Sequence, residues 1–214
     1  MRERRPTEVV LDALDVPTVA LVRLSAAIAA ADEAGVRAAL ATAAAASVPP
    51  VWVDELVLQS YLFSGFPRAL NAAREWRRLA PTPTPGEDAA DPLRAAEWLA
   101  RGEATCAAVY GEMYEKLRRN VFELHPALDG VMVMDGYGKV LGRAGLDLPR
   151  RELCIVAACA ATGQDRQLHS HLHGALNVGV SAAALGSALD ALTPTLGPDR
   201  ARTVRLLLAR VLGK

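Results

Sequence analysis

Apolar residues recur along most of the chain at three- and four-residue intervals, the spacing that lays them on one face of a helix. The pattern predicts a first helical region from about Thr18 to Ala46, ended by Pro49-Pro50. A second helix is expected from Val53 to Phe63, and a third from Pro67 to Leu79 after the break Gly65-Phe66-Pro67. Further helices are expected from Pro92 to Arg101 and from Glu103 to Leu117. Residues 119–148 are crowded with turn formers and look irregular; Val131 to Met134 is expected as buried helix or loop, since a lone strand has no partner here. From Pro149 the pattern is regular again. A helix runs to Ala161 with Gly163 as its stop, and another from Asp165 to Val178 with Gly179 as its stop. Ser181 caps a helix to Leu192, and Pro198-Asp199 opens the last one, which ends at Gly213. The fold class is therefore all-α.

The stretch PTPTPGEDAADP, residues 81–92, combines prolines, a glycine and acidic residues and is expected as a linker. It separates an N-terminal helical unit, residues 1–80, from a C-terminal one, residues 93–214. Leu24 matches Leu153, Ala29 matches Ala158, Arg37 matches Arg166, Val51 matches Val180 and Leu56 matches Leu185, all at an offset of 129 (153 − 24). Such an offset suggests two tandem copies of one helical repeat. In that alignment the first copy has Arg23 and Thr42 where the second has Glu152 and His171. The first copy is thus degenerate, and chemistry is expected in the second.

Composition narrows the partners. The 214 residues suffice for a real core, and 24 Lys plus Arg balance 24 Asp plus Glu. No electrostatic footprint for nucleic acid or an anionic membrane follows from that balance. The most apolar region, Leu24 to Val48, is interrupted by Asp32, Glu33 and Arg37 and is too polar to span a bilayer. The start MRERRPTEVV has no apolar run of the signal-peptide kind. Cys106, Cys154 and Cys159 are three in number, without metal-like pairing, which suits a reducing compartment. The expected location is cytoplasmic.

QLHSHLHGALNVG, residues 167–179, collects three of the four histidines. On a strand His169, His171 and His173 would share one face and suit zinc. The neighbouring Ala, Leu, Gln, Arg and Asn favour a helix instead. There each residue turns by about 100°, so His169 and His173 share an outer face while His171 points nearly opposite. Three ligands for one metal are not available from this helix, and no metal is expected. His171 falls in the row of Leu168 and Ala175, at the edge of the buried stripe, where an imidazole is easily tuned by a carboxylate. The alternative is a half-buried histidine with both nitrogens satisfied.

Residues 150–181, RRELCIVAACAATGQDRQLHSHLHGALNVGVS, resemble the core of the carboxymuconolactone decarboxylase family. The shared pattern is Arg151-Glu152-Leu153, an Ala-rich helix, Gln167-Leu168, His171, Ala175-Leu176-Asn177 and Gly179. VDELVLQSYLFSGFPRALNA, residues 53–72, is similar to the family's other signature segment, here placed before the histidine segment rather than after it. GYGKVLGRAGLDLPRREL also looks like family sequence. The resemblance implies an AhpD-like helical fold, homo-oligomers of trimer or hexamer size, and a functional pair, Glu152 and His171. A carboxylate facing an imidazole fixes its tautomer and makes a proton relay. For a carboxylated substrate, Arg151, Arg166 or Lys139 is a candidate to hold the carboxylate, and Tyr137 a candidate hydroxyl donor.

The peroxidase branch of the same superfamily needs a Cys-x-x-Cys pair seven and four residues before the histidine, and those positions are Gln164 and Gln167. Glutamine cannot replace a thiolate nucleophile. Cys154 and Cys159, five apart on one helix, project about 140° apart and cannot bridge. The expectation is a cofactor-free carbon–carbon lyase that uses Glu152 and His171 on a small cyclic carboxylate. A non-catalytic oligomeric binding protein is the alternative.

Overall fold

The computed structural model describes residues 9–82 and 91–213. The expected linker therefore lies mostly outside the described residues, as do residues 1–8. Ten α-helices and one π-helix carry the described fold: α1 (Val16–Ala30), α2 (Glu33–Ala45), α3 (Pro50–Ser64), α4 (Phe66–Leu79), α5 (Ala95–Tyr110), α6 (Tyr114–Leu124), α7 (Pro126–Gly130), the π-helix (Val131–Leu141), α8 (Leu148–Thr162), α9 (Asp165–Asn177) and α10 (Ala182–Val211). The fold is all-α; extended pairing among the described residues is limited to a single bridge between Leu11 and Val180.

Side-chain caps explain the boundaries. Asp15 accepts from Thr18 N, Asp32 from Gly35 N, Asp147 from Arg150 N and Ser181 from Ala184 N. Asp32 thus divides the expected Thr18 to Ala46 region into α1 and α2. The helix ending at Gly163 does so in the left-handed conformation. α10 is broken at Gly197 (φ 74°, ψ 167°), just before Pro198, where a helix start was expected.

Residues 119–148 are more regular than their turn formers suggest. α5 runs unbroken through Gly102, where a stop was expected. A Cβ on Gly102 would stand 2.1 Å from Val133 O, and one on Gly138 2.1 Å from Trp98 O. These glycines are contact points at which α5 and the π-helix pack backbone to backbone. The actual break falls at Gly111 (φ 53°), between α5 and α6.

α1 and α8 lie side by side at the centre. Every residue from Arg151 to Ala160 of α8 is buried. One apolar cluster surrounds α1 to α4 and takes in Cys154 of α8; the other gathers α5, the π-helix and α8 to α10 and takes in Val22 and Ala26 of α1. Ser25 Oγ donates to Cys154 O at 2.6 Å where α1 and α8 meet.

The caps of α1, α2 and α3 are Asp15, Asp32 and Pro49; those of α8, α9 and α10 are Asp147, Gln164 and Ser181. Both triples are spaced by 17 residues (32 − 15, 49 − 32), and the second follows the first by 132, the separation of the bonded pair Thr18 and Arg150. Buried Leu21, Leu40 and Ala43 correspond to buried Leu153, Leu172 and Ala175 in that register, and Ser47 (φ 57°) to Gly179 (φ 97°). The register of the caps is thus 132, three residues more than the offset of 129 suggested by residue identities. The positions matching Glu152 and His171 are Ala20 and Ala39, not Arg23 and Thr42.

Candidate active site

α8 is apolar almost all round, as a central helix must be, yet its first turns carry three consecutive charged residues, of which Arg151 and Glu152 are buried. Neighbours on a helix point about 100° apart, so Arg151 and Glu152 face different elements. Arg151 faces α3. It is 0% exposed, and its guanidinium donates to Glu55 Oε2 (2.7 Å), Gln59 Oε1 (3.1 Å), Leu146 O (3.1 Å) and Arg143 O (3.2 Å). All three of its nitrogens are engaged, holding the start of α8 to α3 and to the segment before α8.

Glu152 faces α9 and α5. It is 0% exposed, and its Oε2 lies 2.9 Å from Nδ1 of His171, itself 4% exposed. Gly174, on the turn of α9 after His171, makes room for this contact. A Cβ there would stand 2.7 Å from Glu152 Oε2 and 2.7 Å from Val109 Cγ1. An ionised carboxylate can only accept, so with Glu152 ionised His171 donates from Nδ1, and Nε2 is the nitrogen left to carry or accept an exchanging proton. Glu152 Oε1 is buried and has no hydrogen-bond partner among the described residues. Buried polar atoms are rarely left so, and this oxygen is where a proton-bearing group of a ligand or a water would be held.

Aromatic rings wall the pair. Phe63, near the end of α3, meets His171 edge-on at 5.5 Å between centroids, and Tyr110, at the end of α5, meets it at 6.2 Å. Tyr137 of the π-helix packs 6.2 Å from Tyr110. Burial pushes both phenols up, Tyr137 well above the usual tyrosine value, and the nearby Tyr137 hydroxyl offsets part of the rise at Tyr110. Both rings are neutral hydrogen-bonding groups at physiological pH. Cys106 and Cys159 feel the charge of Glu152, but burial pushes each thiol up to about 12. Cys154 is pushed up by burial as well.

Of the residues singled out from the sequence, the structure brings together Glu152, His171 and Tyr137. It does not bring Arg151, Lys139 or Arg166 to them. Arg151 is locked in the α3 network. Lys139 pairs with Asp135 at 2.7 Å and covers the Trp98 ring at 4.7 Å. Arg166 is exposed on the first turn of α9, five residues from His171 and so about 140° around the helix. His169 and His173 are exposed on the outer face of α9 with ring centroids 5.0 Å apart. Phe63 and Tyr110 are site residues that the sequence did not single out. Phe63 lies within the quoted signature segment, but nothing in the sequence gives its depth; Tyr110 has no signal beyond its place before Gly111.

The scaffold is all-helical, with a buried Glu–His pair between neighbouring helices. The family model for the carboxymuconolactone decarboxylase family matches residues 126–210, which include Tyr137, Glu152 and His171. The chain belongs to this family. It is similar to Peroxisomal protein 2 of Schizosaccharomyces pombe, with 32% identity over 143 residues covering 66% of this chain and 67% of that protein.

Proposed function

We propose that the protein is a cofactor-free lyase that decarboxylates a small cyclic carboxylate with Glu152 and His171 as its proton relay. The observation that carries this reading is the 2.9 Å contact between His171 Nδ1 and Glu152 Oε2, buried behind aromatic walls. In the proposed step the bond between the ring carbon and the substrate carboxylate breaks and carbon dioxide leaves. Its electron pair stays on the ring as an enolate, and a protonated His171 delivers the Nε2 proton to that carbon. Glu152 stabilises the imidazolium before the step, and the neutral ring then takes a proton from solvent. Tyr110 and Tyr137 are neutral donors suited to the enolate oxygen. General acid–base catalysis of this kind contributes about 10²- to 10⁴-fold.

The test is carbon dioxide release and solvent-deuterium incorporation on a panel of cyclic carboxylates. Glu152→Gln and His171→Asn are each expected to lower kcat by about 10²-fold or more. Turnover that survives in His171→Asn contradicts the mechanism. Absence of turnover in the wild type across the panel favours the non-catalytic binding protein. The thiol-peroxidase alternative has no support at the site, where Gln164 and Gln167 occupy the Cys-x-x-Cys positions and burial keeps the thiols protonated.

We further propose the division into repeats at 1–80 and 93–214, with the chemistry in the second, and self-association of the chain. Exposed Phe122, Leu124 and Leu128 on α6 and α7 support self-association. Light scattering is expected to give a mass of three or six chains, and a monomer contradicts it. No described helix is long and apolar enough to cross a membrane. The cytoplasm is the proposed location, and a fluorescent fusion separates it from the organelle in the name of the fission-yeast relative.

A further inference from the structure

α5 ends at Tyr110, and the chain turns at Gly111 before α6 leaves in a new direction. The turn leaves a cleft of about 680 Å³ between the α5–α6 junction and the outer face of α9. That volume lies in the range of small-molecule sites, about 300–1,000 Å³. Asn177 Nδ2 donates to Val109 O at 2.8 Å and fixes the end of α5 to α9, so the cleft is formed in the folded chain. Its apolar lining is Val109, Tyr110, Met113 and Leu117, and its polar lining includes Lys116, Asn120, His169 and His173. Glu112 is the carboxylate in its lining.

The polar set favours donors. Lys116 has an ammonium, the amide of Asn120 donates, and the His169 and His173 rings stand 5.0 Å apart. Two imidazoles at that separation, one turn apart on the outer face of α9, lie within the span of one small ligand. Burial first, and then the neighbouring His169, hold His173 below the ordinary histidine value. Tyr110 joins this cleft to the buried pair. It lines the cleft on one side and meets His171 at 6.2 Å on the other.

We propose that this cleft binds a small organic carboxylate with an apolar body, the anionic end at Lys116, His169 and His173 and the apolar end against Tyr110, which separates the cleft from the Glu152–His171 pair. This inference rests on the reading of that pair as the reacting centre. It makes His169 and His173 recognition residues and Tyr110 the partition a substrate must displace.

The test follows the ring signals of the four histidines by NMR during separate titrations with benzoate, benzyl alcohol and inorganic phosphate. His125 caps α7, outside the cleft lining, and serves as the internal control. Benzoate is expected to shift His169, His173 and His171 with one common Kd, to leave His125 still, and to bind more tightly than benzyl alcohol. Lys116→Gln is expected to weaken benzoate about three- to fivefold, as for an exposed charge. No saturable shift of His169 and His173 overturns the binding site. Phosphate equal to benzoate overturns the apolar-body requirement. Movement of His169 and His173 without His171 overturns the role of Tyr110. A failure of the proton-relay reading is visible separately, as a His171 ring that ignores Glu152→Gln in the absence of any probe.

Discussion

Gly174 sets how closely α9 approaches Glu152, and one methyl group there would compete with the carboxylate for space. Helix propensity alone favours Gly174→Ala by about 1 kcal/mol. Overpacking costs about 1–3 kcal/mol. The clash is expected to win because Glu152 is held by His171, so the urea midpoint should fall and the His171 ring signals should move. A more stable variant with unchanged His171 signals would show that the contact is slack. The cysteines give a second prediction. With burial holding Cys106 and Cys159 up to about 12, and Cys154 also raised, the thiols stay protonated at pH 8. The native protein is expected to show no fast-reacting thiol toward a disulfide reagent, and unfolded protein all three; one fast native equivalent would reopen thiol chemistry. Helical phase made the burial of His171 legible in the sequence. It left Arg151 misplaced, because whether a charged residue meets a substrate or a buried partner depends on Glu55, 96 residues away.

Most helices were legible because proline, aspartate, serine and glycine punctuate them, and the caps carry out those roles. The π-helix was not, since its glycines resemble turn residues. Gly138 instead admits Trp98 O, and Gly102 admits Val133 O. Backbone cannot move aside as a flexible side chain can, so Gly138→Ala is expected to cost about 3 kcal/mol or more, the upper end of overpacking. Thermal unfolding checks this; a shift of Tm within the scatter of surface variants would contradict the backbone contact. Tyr137 sits between these contacts and the site, so the same variant should also disturb the Tyr110 ring signals. The cap spacing puts α1 to α3 and α8 to α10 in a register of 132, three residues from the offset of 129 that residue identities suggest. Ala-rich helices match one another at nearby offsets, and buried residues pair at both, so the cap spacing is what selects 132.

The two halves are joined by α1 against α8 and by the buried group around Glu55 and Arg151. Removing one partner of a buried pair leaves an uncompensated charge, at about 3–5 kcal/mol. Arg151→Ala is therefore expected to lower the denaturation midpoint sharply, while Arg166→Ala, at an exposed position, stays within about 0.5 kcal/mol of the wild type. Equal small effects would contradict the structural role assigned to Arg151. The Arg151 network fixes α8 on one side and thereby aims Glu152 at α9 on the other, so the stability of the joint and the geometry of the pair are one arrangement. The state of the His171 ring reports on that arrangement. We would record its nitrogen and Nδ1 proton signals by NMR in the wild type and in Glu152→Gln. The account predicts a ring protonated at Nδ1 with a downfield proton, as in a charge-assisted hydrogen bond, which moves upfield or disappears in the variant. A ring protonated at Nε2 alone, or one unchanged by Glu152→Gln, would contradict a proton relay between these two residues.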